Sequence, residues 1–280
     1  MEEFKVSKRG KKKDRPLTFV EHLDKLRVHL FRGIFAILIF SVIAFFFKGF
    51  IFNEVVLKPK KPDFYTNQLL CQAAEKLDAQ ALCINQNDLE IINIDLAGQF
   101  KAHLLVSIIF GFLIAFPYLI FELWRFIKPA LKAQEIKYSR SMVFWVSILF
   151  SIGILFGYFI IVPLAVNFLG NYSISDELEN TINFASYFST LATTVIGTGL
   201  IFEMPIAAFL LAKLGIITPK MMKKYRKHAI VVALILSGIL TPPDVFSQIL
   251  VAVPIAFLYE LSILIVIRVH KRRRIPIDLD

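Results

Sequence analysis

MVFWVSILFSIGILFGYFIIVPLAVNF, the stretch from Met142 to Phe168, decides the fold. It contains no Asp, Glu, Lys or Arg, and it is long enough for a helix to cross about 30 Å of hydrocarbon, which takes roughly 17 to 25 residues. A membrane-spanning strand needs only about ten, so the run reads as a helix. Three more runs have this character: His29–Phe52, Ala102–Leu123 and Tyr187–Leu211. Two others are unusual. Ala229–Leu240 supplies only about 18 Å of helix, and Ile249–Ile267 carries Glu260. Thr241-Pro242-Pro243-Asp244-Val245-Phe246-Ser247-Gln248 joins them, and its paired prolines force a hairpin. The expected fold is an all-α polytopic membrane protein with six transmembrane helices, the last two short enough to thin the bilayer locally.

Composition agrees with this assignment. A 280-residue chain with 56% hydrophobic residues and a mean hydropathy of +0.64 holds more apolar side chain than a soluble core of that size hides. The net charge of +10 is concentrated in short segments, without the aromatic context of nucleic-acid readout, and therefore reports topology and anionic-lipid contact. Basic residues crowd the segment before the first span, the second connection (Arg125, Lys128, Lys132, Lys137, Arg140), the fourth (Lys220, Lys223, Lys224, Arg226, Lys227) and the C-terminal tail. The third connection has Asp176, Glu177 and Glu179 with no Lys or Arg. The positive-inside rule places both termini in the cytoplasm, and the mixed first connection falls outside by elimination. The expected organisation is a basic tail and amphipathic helix over 1–28, a membrane domain over 29–268 with an exoplasmic insertion at 53–100, and a basic tail over 269–280. The N-terminus lacks the apolar core of a cleaved secretion signal.

The insertion holds both cysteines, Cys71 and Cys83, twelve positions apart in a polar, otherwise uncored loop, which suits an exoplasmic disulfide. Scattered near span ends, His22, His29, His103, His228 and His270 read as interfacial residues, not as a metal set.

Carboxylates single out the candidate sites. The apolar spacing of Phe19, Leu23, Leu26 and Leu30, with the Thr18-x-x-Glu21 capping pattern, predicts a helix lying in the interface before turning into the first span. Span two ends with Pro117, which should kink it, and with Glu122, Trp124 and Phe126; Glu135 follows in the second connection. Acidic groups within a basic cytoplasmic connection can pair with a cationic peptide. Glu203 lies in span four beside Pro205, near Gly197 and Gly199, where a carboxylate must face an interior or water cavity. Glu260 in span six is close enough to a surface to be hydrated.

These pieces resemble the TatC family, the multispanning component of the twin-arginine protein translocase. The matching residues are His22-Leu23-x-x-Leu26-Arg27, Trp124-x-Phe126-Ile127-x-Pro129-x-Leu131 with Glu135, Phe202-Glu203-x-Pro205, Leu240 to Gln248, and Pro254 with Leu258-Tyr259-Glu260. The resemblance implies a receptor core that binds the paired arginines of signal peptides and assembles with single-span TatA- and TatB-type partners and further copies of itself. It implies export of folded cargo on the protonmotive force, with no cofactor and no enzymatic step. Phe126 and Glu135 stand at the positions the family uses for recognition. Lys25 stands where the family commonly has Glu, leaving Asp24 or Glu21 to replace that contact, and Glu122 stands where Gln is frequent. Thr241, Asp244 and Gln248 are the expected docking groups for the partners, being polar groups at the ends of short spans. A proton-coupled secondary transporter is the alternative, but the chain lacks the repeated halves of that class. It also lacks the hydrolase and metalloprotease signatures of a membrane enzyme.

Overall fold

The computed structural model describes residues 19–78, 83–86, 89–127, 139–175, 181–241 and 245–274, without the side chains of 19–23, 77, 139–141, 245–247 and 272–274. In chain order, α1 (Phe19–Phe46) leads through irregular turns to α2 (Tyr65–Leu77), then β1 (Ile91–Ile92) and α3 (Gly98–Ile127). Next come α4 (Ser139–Phe156), α5 (Val162–Asn171), β2 (Ile182–Asn183), α6 (Phe184–Phe202) and α7 (Met204–Leu214). The chain ends with α8 (Pro219–Lys224), α9 (Arg226–Leu240) and α10 (Val245–Arg274).

Among the described residues, five helical stretches have the length and apolarity to cross a membrane: Asp24–Phe46, Gly98–Ile127, Met142–Asn171, Phe184–Leu214 and Gln248–Lys271. The expected fifth span falls in α9, whose 15 residues reach about 22 Å, less than the hydrocarbon thickness. Large apolar residues such as Phe31, Phe35, Val231, Ile235, Val253 and Phe257 point outward, as lipid-facing side chains do.

One local expectation is corrected, and two expected spans carry local irregularities. The N-terminal amphipathic segment does not turn before the first span. α1 is continuous from Phe19, because neither Gly nor Pro interrupts it before Gly33. The Met142–Phe168 run contains a π-helical turn at Gly157–Ile161 just before Pro163, where the missing proline N–H disrupts the regular ladder. Span four breaks at Glu203, which ends α6, and Pro205 begins α7. Pro117, by contrast, lies inside an unbroken α3.

Small residues set the packing. α1 and α3 run antiparallel: Gly33 faces Leu119, Gly111 faces the Ile37–Ser41 backbone, and His103 Nε2 bonds the Phe45 carbonyl at 3.0 Å. A methyl group at Gly111 would lie 2.8 Å from the Ile37 oxygen, so only glycine permits this approach. Similarly, Gly153 on α4 meets Thr198 and Gly199 on α6, and the Phe116 ring stacks on Phe150 between α3 and α4.

The first connection is not the uncored loop expected. Val56, Phe64, Ala74 and Ile84 are buried in it, and the sulfurs of Cys71 and Cys83 are joined in a disulfide. Side-chain hydrogen bonds to backbone carbonyls tie it to the bundle in both directions. Thr66 Oγ1 donates to the Phe159 carbonyl at 2.5 Å, the group that Pro163 leaves without its helical donor. Tyr158 and Tyr187 donate to the Val55 and Val56 carbonyls at 2.8 and 2.7 Å. Asn85 Nδ2 reaches the Pro163 carbonyl at 3.0 Å. Parallel pairing of Ile91 with Ile182 and Ile92 with Asn183 ties this cap to the third connection, at the end of the bundle opposite the basic segments.

Candidate functional site

At the basic end, the antiparallel crossing of α1 and α3 brings His29 and Arg32 against Tyr118, Glu122 and Arg125. The spacings i and i+3 on α1, and i, i+4 and i+7 on α3, place each set on one helical face. Glu122 is buried at the centre. His29 Nδ1–H donates to its Oε2 at 2.5 Å and Tyr118 O–H to its Oε1 at 3.0 Å. The Arg125 and Arg32 guanidiniums approach to 3.7 and 4.0 Å. An unpaired carboxylate here would cost several kcal/mol, so this ring of donors is what makes its burial tolerable. Phe126 is half-buried at the edge of the cluster, its ring edge-on to His29 with centroids 6.3 Å apart. Asp24, just over a turn before His29, is exposed. The side chain of Glu21 and the whole of Glu135 lie outside the described residues.

Two further carboxylates sit apart from this cluster. Glu203 occupies the break between α6 and α7; its N–H bonds the Leu200 carbonyl at 3.1 Å, while its buried Oε1 has no hydrogen-bond partner among the described residues. A single orphaned carboxyl oxygen beside a helix break is a site that another polar group can complete. Glu260 accepts from Arg226 Nη2 at 2.7 Å, joining α10 to the start of α9, and both side chains are about half exposed.

The family model described as Sec-independent protein translocase protein (TatC) matches residues 21–254. The chain belongs to the TatC family. Among curated TatC proteins, that of Blattabacterium from Periplaneta americana is 36% identical over 92% of this chain and 97% of its own length. That of Aquifex aeolicus is 34% identical over 89% and 93%. Two crystal structures described as the twin-arginine translocase receptor TatC superpose with TM-scores of 0.63 and 0.66 at 32% and 33% identity. They cover 89% and 87% of this chain and 99% and 98% of their own. A member of the TatC family is a multi-pass membrane protein of protein transport, and the all-helical bundle here is that fold.

Within this TatC fold, the sequence-derived residues divide unevenly. Phe126 and Glu122 come together, while Glu203, Glu260 and the α9–α10 hairpin are separate places. Thr241, an expected docking group, already has a hydrogen-bond partner within the hairpin. It is buried, and its hydroxyl donates to the Ser237 carbonyl at 2.7 Å. Gln248 Nε2 donates to the Leu234 carbonyl at 3.0 Å, and Asp244 lies outside the described residues. Both described groups bond within their own hairpin, each adding to an α9 carbonyl that has another donor: Ser237 also accepts from the Thr241 N–H at 2.8 Å and Leu234 from the Ser237 hydroxyl at 2.9 Å. The partners of Glu122 were missed: His29, Arg32 and Tyr118 carry no motif. The signal that reveals them is their spacing on two neighbouring antiparallel helices.

Proposed function

We propose that this chain is the receptor core of a twin-arginine translocase, binding paired-arginine signal peptides and exporting folded proteins on the protonmotive force. In this reading it lies in the inner membrane with both termini cytoplasmic and crosses six times, α9 and α10 forming the short final hairpin. The unequal distribution of Lys and Arg supports the orientation, and the β1–β2 pairing supports it by joining the first and third connections at the opposite end.

The observation that carries the proposal is the Glu122 cluster with Phe126 at its edge, at the basic end of a TatC fold. Phe126 supplies an aromatic surface. Glu135, Asp24 and Glu21 supply carboxylates for guanidinium recognition, and Glu122 fixes α1 against α3. TatA- and TatB-type single-span partners, and further copies of this chain, complete the assembly. The α9–α10 hairpin around Thr241, Asp244 and Gln248 is the proposed docking place, its contact made by the open apolar faces carrying Ile239 and Ile249, since Thr241 is bonded at home. Crosslinking a paired-arginine signal peptide to the membrane-inserted protein, against a paired-lysine control, tests the receptor role. Arginine-selective crosslinking that Phe126→Ala and Glu135→Ala weaken is expected; equal crosslinking of both peptides, or no effect of either substitution, refutes it.

A further inference from the structure

The Glu122 cluster carries more positive charge than its carboxylate neutralises. Arg32 and Arg125 both approach Glu122, at 4.0 and 3.7 Å, distances too long for close bidentate pairing. The shared carboxylate is already engaged by His29 on Oε2 and Tyr118 on Oε1. Glu122 is 4% exposed, whereas the two arginine side chains are 49% and 55% exposed, so both guanidiniums have faces turned away from it. Because both lie within 4.0 Å of one carboxylate, two exposed positive charges from neighbouring helices are gathered around a single point.

The apolar surroundings would orient an anion bound at that point. Exposed Phe35 lies three residues beyond Arg32 on α1, and exposed Phe121 lies four residues before Arg125 on α3. These spacings put each ring on the same helical face as its arginine. α1 leaves the basic end and α3 returns to it, so both rings lie deeper toward the middle of the membrane than the arginines. A ligand with an anionic head and apolar tails matches this layout: the head at Arg32 and Arg125, the tails over Phe35 and Phe121.

We infer that Arg32 and Arg125, gathered beside buried Glu122, form a binding site for the phosphate of an anionic phospholipid at the basic end of the α1–α3 pair. The site does not depend on the signal-peptide reading. Its ligand makes charge-assisted hydrogen bonds to two guanidiniums, and an arginine near an anionic lipid surface contributes about fivefold in affinity.

Native mass spectrometry of the detergent-purified full chain, titrated with phosphatidylglycerol or with phosphatidylcholine, tests it. Wild type should retain phosphatidylglycerol preferentially. The double variant Arg32→Gln/Arg125→Gln should lose that preference by roughly 25-fold, and Lys223→Gln/Lys224→Gln, removing the same charge from α8, should keep it. Glu122→Gln should raise retention, because it removes the competing negative charge while keeping a polar group for His29 and Tyr118. An unchanged preference in the double variant, or an equal loss in the lysine control, overturns the site. Displacement of the lipid by equimolar glycerol 3-phosphate overturns the lipid assignment in favour of a free phosphate. If the double variant does not fold, Glu122→Gln decides: higher retention supports the site, and unchanged or lower retention refutes it.

Discussion

Replacing Asn67 with alanine should open the cap over the bundle at one identifiable place. Asn67 is 1% exposed in the first turn of α2. Its Nδ2 donates to the Lys61 and Pro59 carbonyls at 2.8 and 3.2 Å, and its Oδ1 accepts from Asn85 at 3.3 Å. Alanine removes all three bonds. The Asn85 amide keeps its bond to the Pro163 carbonyl and Lys61 is partly exposed, so the group left stranded is the buried Pro59 carbonyl. Stranding a buried polar group costs about 1–3 kcal/mol, so the turn should become about 2 kcal/mol easier to open. Lys60, between the two carbonyls, is buried with its Nζ bonded to the Leu89 carbonyl at 2.6 Å, so trypsin reaches the Lys60–Lys61 bond only after opening. When reclosing outpaces cleavage, the rate follows the open population, and 2 kcal/mol corresponds to roughly 30-fold. Cleavage after Lys60 should accelerate by that factor in Asn67→Ala, and cleavage after Lys223 in α8 should not change. Equal rates at Lys60 in the two proteins would show that the cap is not held by this amide.

Other outcomes follow from the same geometry. Peptide mapping of non-reduced, exported-side material should recover Cys71 and Cys83 as one linked pair, and recovery as free thiols would refute the bridge. Gly111→Ala should lower thermal stability by about 1–3 kcal/mol, because its methyl meets α1 backbone; Gly33→Ala, which meets only the tip of Leu119, should cost less. Glu203→Gln should preserve transport and Glu203→Lys should abolish it, since a buried carboxyl site accepts a neutral isostere but not a long cation; equal transport by both would make the residue a bystander. The Asp63 carboxyl is held below the usual carboxylate range by its hydrogen bond from Lys58, at 2.9 Å. Its stabilising contribution is therefore present above the unfolded-state pKa and lost as pH falls through the lower folded value. Amide-hydrogen-exchange protection around Lys60 should weaken through that acidic window in wild type but not in Asp63→Asn.

The sequence reveals the membrane helices because their signal is local: a charge-free run such as Met142–Phe168 needs no partner to be read. It also locates the breaks that proline causes, although Pro117 and Pro205 look alike in sequence and only Pro205 stands at a helix boundary. The cap was hidden because its core is assembled from distant pieces. Asn85 bonds Asn67 and the Pro163 carbonyl, and Thr66 bonds Phe159, so no single window shows an apolar period. The candidate site divides in the same way. Glu122 and Phe126 stand out within one helix. His29, however, becomes informative only once the Gly33 and Gly111 contacts set the register of α1 on α3.

That register changes what Glu122 does under the receptor reading. A carboxylate that meets a histidine, a tyrosine and two arginines has little remaining capacity to accept the guanidiniums of an incoming peptide. Added arginines would face Arg32 and Arg125, and like charges at this spacing repel. Recognition then falls to carboxylates outside the cluster, of which Asp24 is exposed on the same helix as His29. In that reading Glu122 clamps the middle of α1 to the last turns of α3, which would present Asp24 and Phe126 from two neighbouring helices. An anionic lipid on Arg32 and Arg125 would lower the positive potential that a paired-arginine segment must approach. Under the receptor reading the buried acid fixes the geometry, and acids outside the cluster, such as exposed Asp24, would receive the charge.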